Sequence, residues 1–242
     1  MRVWLILFLF IATLAACKKI IGASAVKPAN TIKTIIKPDS EAYYYLALGD
    51  SYTAGTAEPV SVSYPIQLEG YIENNKLAMP PPTVIATDGW TTDNLIRGIA
   101  SSGITGKTYQ VVTLLIGVND QYEGLTLTHY RTNFITLLHT AITFAGGDST
   151  RVFVLSIPDY GVTPFAMGRD SIIGPQIDQF NAINKQESIN AGVNYLDITA
   201  ISREAATDTS LIASDGLHPS GKMYMLWIDQ LGPMVLKRLL QK

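Results

Sequence analysis

The sequence has little cysteine, little histidine and little charge. Its single cysteine, Cys17, excludes an intramolecular disulfide and any metal cluster built from several cysteines. Its three histidines form neither a His-x-x-x-His nor a His-Glu-x-x-His pattern, so we expect no catalytic metal. Charged residues make up 16% of the 242 residues and the formal net charge is -2, which gives no reason to expect nucleic acid as a partner.

An apolar segment opens the chain. Arg2 is followed by Val3 to Ala16, which are apolar with one exception, and a run of this length is too short to cross a bilayer comfortably. A basic start followed by such a run is typical of an export signal, so we predict a signal peptide at residues 1–16. Ala15 and Ala16 before Cys17 resemble the lipobox of bacterial lipoproteins, in which the cysteine is lipidated. An ordinary cleaved signal and an uncleaved anchor are the alternatives.

Residues 17–42 are predicted to be a linker, because they show no sustained helical or strand period. Five lysines against two acidic residues give this segment a charge of +3, whereas residues 43–242 carry -6. A basic stalk beside an anionic membrane and a solvated linker both fit that charge. With Cys17 as the lipid anchor, we expect the protein in the bacterial cell envelope, on the periplasmic or surface side of a membrane.

From Tyr43 onward, short apolar runs alternate with longer amphipathic stretches, which is typical of βαβ units around a parallel sheet. We predict one domain at residues 43–242. The predicted strands lie near residues 43–48, 83–86, 111–116, 151–157 and 194–197, and the predicted helices near 65–76, 92–99, 128–144, 175–191 and 220–240. His129 and His139 lie ten residues apart on one of these helices, on different sides of it.

Polar loops follow the first three predicted strands, at residues 49–53, 87–92 and 117–120. Ligands of open parallel sheets bind beyond the carboxyl ends of the strands, where the strand order reverses. With the order 2-1-3-4-5, the first strand lies between the second and third, and these three loops converge. The segment Asp215-Gly216-Leu217-His218 comes just before the last predicted helix.

These loops contain the groups that nucleophilic catalysis needs. A serine hydroxyl requires a base to remove its proton and a third group to orient that base, and Ser51, His218 and Asp215 can fill these roles. Asp215 is close enough in sequence to His218 to fix its tautomer. The backbone N–H groups of Ser51 and Gly89 and the side-chain amide of Asn119 can donate to an oxyanion.

Four segments of the sequence resemble the four sequence blocks of the SGNH (GDSL-type) hydrolases, and the resemblance covers roughly residues 43–242. The matching segments are Gly49-Asp50-Ser51, Gly89, Gly117-Val118-Asn119-Asp120 and Asp215-Gly216-Leu217-His218. The resemblance implies a three-layer α/β/α fold of flavodoxin-like topology and hydrolysis of ester or thioester bonds without a cofactor. It also implies that Ser51 is the nucleophile, His218 the base and Asp215 its partner, with Gly89 and Asn119 as oxyanion donors. Tyr52 stands where the family often has leucine.

We expect the protein to hydrolyse an acyl or acetyl ester of a small molecule, glycan or lipid through an acyl-serine intermediate. We expect it to be a monomer. Each motif alone is also consistent with an ordinary turn. Two non-catalytic alternatives are a flavin- or phosphate-binding module on the same fold and a lipoprotein that binds glycans through aromatic residues.

Side chains around these motifs are given supporting roles. We expect Asp50 and Asp120 to hold their loops by hydrogen bonds. Aromatic residues that follow the first four strands are candidates for the wall of a substrate pocket. They are Tyr52, Trp90, Tyr122 and Tyr160. The segment 157–165 is expected to form one side of the cleft.

Overall fold

A computed structural model describes residues 42–241, which contain a five-stranded parallel sheet. The predicted signal peptide, the predicted lipidation site Cys17 and nearly all of the predicted linker lie outside the described residues. The strands are β1 (Tyr45–Gly49), β2 (Thr83–Ala86), β3 (Val111–Leu115), β4 (Val152–Leu155) and β5 (Asn194–Leu196). Their spatial order is β2-β1-β3-β4-β5, and every neighbouring pair is parallel, which confirms the predicted topology.

Helices flank this sheet. The long ones are α2 (Tyr64–Asn74), α3 (Thr92–Ser101), α5 (Leu127–Phe144), α6 (Asp170–Ala191) and α8 (Gly221–Leu240), and the short ones are α1 (Ser51–Ala54), α4 (Val118–Tyr122) and α7 (Thr199–Arg203). Helix α2 packs against α8, while α5 packs against both α3 and α6. No helix within residues 42–241 is both long and apolar enough to cross a membrane.

The central strands form the middle of the hydrophobic core. All residues of β1, β3 and β4 are buried, as expected for strands that are covered by helices on both faces. Aromatic side chains of α2 and α8 pack against one another beside them, with the rings of Tyr64 and Trp227 centred 6.1 Å apart and both side chains fully buried. Burial on this scale fixes the strand ends from which the functional loops emerge.

The register of the sheet aligns three of these strand ends. Gly49, the last residue of β1, pairs with Ala86 at the end of β2 and with Leu115 at the end of β3. The loops that follow therefore begin at the same level and at the same edge of the sheet. This alignment brings residues that are distant in sequence into one site.

Helix α6 differs from its prediction, because it begins at Asp170 rather than at Pro175. The predicted start lies at Pro175 because proline favours the first turn of a helix. The earlier start has no capping signal in the sequence, since the side chain of Arg169 forms no capping hydrogen bond. Ile173 and Ile177 are both buried and lie four residues apart, so their packing continues the helix through Pro175. The short helices α1, α4 and α7 were not predicted, since four or five residues show no period.

Candidate active site

A cavity of about 130 Å³ lies at the carboxyl ends of the strands. Its walls come from the loops after β1, β2, β3 and β4 and from the segment before α8. The lining residues are Ser51, Tyr52, Asp88, Val118, Asn119, Tyr122, Tyr160, Phe165, Leu217 and His218. Three of the predicted site residues, Ser51, Asn119 and His218, thus share one cavity, as the convergence of the loops requires.

Ser51 is the first residue of helix α1, directly after the turn that ends β1. Asp50 caps this helix, since its Oδ1 accepts a hydrogen bond of 3.0 Å from the Tyr52 N–H. The turn also requires glycine at position 49, because a Cβ there would collide with Thr53 Oγ1 and with the Leu115 carbonyl. Asp50 therefore holds the loop of Ser51 as expected from the sequence.

Asp50 is itself in an unusual environment. Its side chain is fully buried, and its Oδ2 has no hydrogen-bond partner within residues 42–241. Burial raises the pKa of Asp50 from 3.8 to about 8, although the hydrogen bond from Tyr52 N–H opposes this rise. At neutral pH the residue beside Ser51 is therefore mainly a neutral carboxylic acid.

His218 and Asp215 form a close pair. Asp215 Oδ2 lies 2.5 Å from His218 Nδ1, and Asp215 Oδ1 accepts from the N–H groups of Leu217 and His218 at 3.0 Å each. Partial burial raises the pKa of Asp215, but these hydrogen bonds outweigh it and hold the pKa below its ordinary value. The ionised carboxylate can only accept, so Nδ1 of His218 carries the proton and Nε2 is left free to act as a base.

The free Nε2 faces the cavity. His218 is 7% exposed, and its ring meets the edge of the Tyr52 ring with centroids 5.8 Å apart. Within the described residues no hydrogen bond joins the Ser51 hydroxyl to His218. Such contacts often tighten only when substrate binds. The carboxylate of Asp88 lies 3.9 Å from Nε2.

Three groups were predicted to donate to an oxyanion: the N–H groups of Ser51 and Gly89 and the side-chain amide of Asn119. Asn119 Nδ2 donates one hydrogen to the Trp90 carbonyl at 2.9 Å, and its second hydrogen is available to a ligand. Neither the Ser51 N–H nor the Gly89 N–H donates to another group of the described chain. Gly89 has φ of +75° and is exposed, and it lies at the margin of the cavity rather than among its lining residues.

Asp120 ties two loops together. Its carboxylate accepts from Thr92 N–H at 2.9 Å and from Thr92 Oγ1 at 2.5 Å, at the start of α3. Its hydrogen bonds thus join the loop after β3 to the loop after β2, whereas we expected it to hold its own loop. Burial raises the pKa of Asp120, and the bonds from Thr92 oppose this rise.

Three of the four predicted aromatic residues line the cavity, namely Tyr52, Tyr122 and Tyr160. Trp90 does not, because its ring packs so closely over Gly98 of α3 that a Cβ at Gly98 would collide with it. Phe165, from the segment predicted to form one side of the cleft, completes an aromatic wall with Tyr122 and Tyr160, with centroids 6.1 and 6.3 Å away. Sequence reasoning assigned no role to Asp88, and its only signal was its position directly before Gly89.

Within residues 42–241, no three His, Cys, Asp or Glu side chains are placed to hold a metal ion. His129 pairs instead with Asp93 on α3, with Nε2 and Oδ2 2.7 Å apart. His139 lies on α5 away from the cavity, beside Glu187 of α6.

Comparison with known proteins identifies the family. The GDSL-like Lipase/Acylhydrolase family matches residues 47–226, about three quarters of the chain. The chain belongs to this family and is a carboxylic ester hydrolase by that membership. A search of the curated proteins gave no significant match.

Solved structures share the fold at low sequence identity. The chain is similar to the psychrotrophic esterase EstA from Pseudoalteromonas sp., with a TM-score of 0.62 and 18% identity over 81% of this chain and 98% of that one. A lipase/acylhydrolase from Enterococcus faecalis gives a TM-score of 0.62 at 20% identity, covering 81% of this chain and 95% of that one. Axe2, an acetylxylan esterase from Geobacillus stearothermophilus, gives 0.61 at 17% identity, covering 83% and 95%.

Proposed function

We propose that the protein is a serine esterase that uses Ser51, His218 and Asp215 as a catalytic triad. The observation that carries this proposal is the ionised Asp215 bound to His218 Nδ1, with Nε2 of the same ring facing the cavity that Ser51 lines. This arrangement supplies a nucleophile, a base of fixed tautomer and the group that orients the base.

The reaction follows from these positions. Ser51 Oγ attacks the acyl carbon while its proton passes to His218 Nε2, and the carbonyl oxygen becomes an oxyanion. The Ser51 and Gly89 N–H groups and the Asn119 amide donate to that oxyanion. The proton on Nε2 then passes to the alcohol oxygen as the ester C–O bond breaks. Water, deprotonated by the same nitrogen, attacks the acyl carbon, and the proton on Nε2 passes to Ser51 Oγ as the acyl–Oγ bond breaks and the acid is released.

Turnover of 4-nitrophenyl acetate by wild type and by Ser51→Ala tests the assignment. We expect the variant to lose about three orders of magnitude or more in kcat with an unchanged circular dichroism spectrum. Ser101→Ala is the matched control, because Ser101 is an exposed serine at the C-terminal end of α3 and does not line the cavity, and it should retain full activity. Unchanged hydrolysis by Ser51→Ala would refute the proposal.

The size of the cavity supports a short acyl group. A volume of about 130 Å³ is below that of ordinary ligand pockets, which begin at roughly 300 Å³. It corresponds to about four water-sized atoms, which matches an acetyl ester group and leaves no enclosed space for a long chain. The similarity to an acetylxylan esterase agrees with this size. On this proposal the alcohol part of the ester extends toward the open rim of the cavity.

A series of 4-nitrophenyl esters from acetate to palmitate, beside acetylated xylan, tests the acyl preference. We expect kcat/KM to be highest for acetate and to fall by about tenfold or more by octanoate, because the longer chain stays exposed to water. A rise with chain length would contradict a short acyl pocket.

We further propose that lipidated Cys17 anchors this esterase in the cell envelope. The support is the export-signal pattern of residues 1–16 and the small residues before Cys17. In cells that express the full chain, wild type should sediment with membranes and Cys17→Ser should not. The mass of the N-terminal peptide should show a diacylglycerol-type modification on Cys17. An unmodified Cys17 within an intact N-terminus would refute the anchor.

A further inference from the structure

An unpaired carboxylate lies beside the catalytic base. Asp88 Oδ1 is 3.9 Å from His218 Nε2, and the Asp88 side chain is 66% exposed. Among residues 42–241, no side chain or backbone group forms a hydrogen bond with this carboxylate. Asp88 follows β2 in the turn closed by the Trp90 N–H donating to the Thr87 carbonyl at 3.3 Å. The fold places this charge at the cavity without using it for structure.

The position of Asp88 relates it to the alcohol part of the ester. His218 Nε2 must return its proton to the alcohol oxygen, which requires the two atoms to come within about 3 Å. Since Asp88 Oδ1 is 3.9 Å from the same nitrogen, the alcohol oxygen passes within about 7 Å of the carboxylate. Groups attached to that oxygen come into the field of Asp88.

No cation of the cavity offsets this charge. The lining residues include no lysine and no arginine, and Asp88 is the one acidic residue among them. The Asp215 carboxylate is already engaged with His218 Nδ1. Charges separated by less than the screening length of about 8 Å at physiological ionic strength still interact. The cavity therefore presents a net negative side to the departing alcohol.

We propose that Asp88 determines the charge specificity of the alcohol subsite. It disfavours esters whose alcohol part carries a negative charge and favours those with a positive charge. This inference rests on the proposed function, since it assigns the alcohol oxygen to His218 Nε2. It concerns the alcohol alone and is independent of the length of the acyl chain.

Three phenyl acetates that differ only in their para substituent test it: trimethylammonium, carboxamide and carboxylate. Each is assayed with wild type and with Asp88→Asn, so that differences in leaving-group reactivity cancel. We expect the ratio of kcat/KM between the cationic and the anionic ester to fall about tenfold in Asp88→Asn. The effect should be smaller at about 0.5 M salt than at the physiological value of roughly 0.15 M, because the higher salt concentration screens surface charges more strongly.

Asp229→Asn is the charge-matched control. Asp229 is exposed on α8, and its side chain forms no hydrogen bond or ion pair with the described residues, so its removal should leave the ratio as in wild type. A ratio unchanged by Asp88→Asn would overturn the inference. An equal loss on all three esters would also overturn it, because Asp88 would then act on the base. If Ser51→Ala hydrolysed the esters as fast as wild type, the proposed function itself would be refuted. This result differs from an unchanged ratio in Asp88→Asn, so the failure of the inference and the failure of the proposed function can be told apart.

Discussion

The floor and the rim of the cavity differ in burial and in bonding. We define the floor as Ser51, which lines the cavity, and the residues that hold the loops behind it, Asp50, Thr92 and Asp120; all four are 4% exposed or less. The rim comprises Asp88, Tyr122 and Phe165, with 57% of Tyr122 and 66% of the Asp88 side chain exposed. The side chains of Asp50 and Asp120 hold the floor by hydrogen bonds to Tyr52 and Thr92. The side chain of Asp88, in contrast, forms no hydrogen bond within the described chain.

This difference separates two tasks. Catalysis requires the nucleophile and the oxyanion donors to be fixed before the substrate arrives, and buried hydrogen-bonded loops provide that rigidity. Recognition of the alcohol needs exposed groups, which can be exchanged without loss of the fold. Changes in the catalytic machinery should therefore alter kcat for every substrate, while changes in the rim should alter the choice among substrates.

Asp215→Asn should have the largest effect of the predictions below. An amide in place of the carboxylate can donate to Nδ1, which would favour the wrong tautomer of His218. We expect kcat for 4-nitrophenyl acetate to fall on the order of 10³-fold. Asp208→Asn, which removes a carboxylate paired with Lys222 away from the cavity, serves as the control and should stay near wild type. A loss of less than tenfold would show that His218 does not depend on Asp215.

Asn119→Ala comes next. The variant loses the amide hydrogen that we propose donates to the oxyanion, so kcat should fall on the order of 10²-fold while KM changes little. Because Asn119 also donates to the Trp90 carbonyl, circular dichroism and the melting temperature should be measured in parallel. A rise in KM at constant kcat would instead assign Asn119 to ground-state binding.

Tyr122→Ala tests the rim with a smaller expected effect. The exposed ring contacts Tyr160 and Phe165 and offers an apolar surface to the alcohol. We expect kcat/KM to fall by less than about tenfold, mainly through KM and more for large alcohols than for small ones. Tyr44→Ala is the control, since Tyr44 is 54% exposed at the opposite end of β1. A loss of kcat as large as that of Asn119→Ala would erase the distinction between floor and rim.

Asp50→Asn should change stability rather than specificity. In the folded protein the pKa of Asp50 is about 8, against an ordinary value of 3.8. Between these pH values the folded state holds a proton that the unfolded state has lost, so stability falls as the pH rises through this window. Asparagine keeps the helix cap and cannot ionise. The variant should therefore match wild type near pH 5 and exceed it on the order of 1 kcal/mol or more at pH 8.

Thermal unfolding of both proteins at a series of pH values provides this measurement. Asp229→Asn again serves as the control, because Asp229 is exposed and forms no hydrogen bond or ion pair within residues 42–241, so its removal should leave the trend as in wild type. A constant difference between Asp50→Asn and wild type from pH 5 to pH 8 would mean that Asp50 is ionised in the folded state.

The sequence predicted the strands and the polar loops that follow them, because alternating apolar runs and strand-end motifs are local signals. The strand order was implied by the resemblance to the SGNH hydrolases. It also predicted the pairing of Asp215 with His218, since three residues of chain limit their separation. The approach of Asp88 to His218 could not be predicted, because it depends on two loops that lie 130 positions apart. The packing of Trp90 over Gly98 rather than against the cavity likewise depends on the position of α3.

The central claim is that Ser51 is the nucleophile, and covalent labelling tests it most directly. The protein should be treated with a 4-nitrophenyl alkylphosphonate, the class of reagent suggested by the related esterase that was crystallised with monoethylphosphonate. Mass spectrometry of the digested protein should show one adduct, on Ser51, formed at the rate at which activity is lost, and none in Ser51→Ala. An adduct on another residue, or loss of activity without modification of Ser51, would contradict the account.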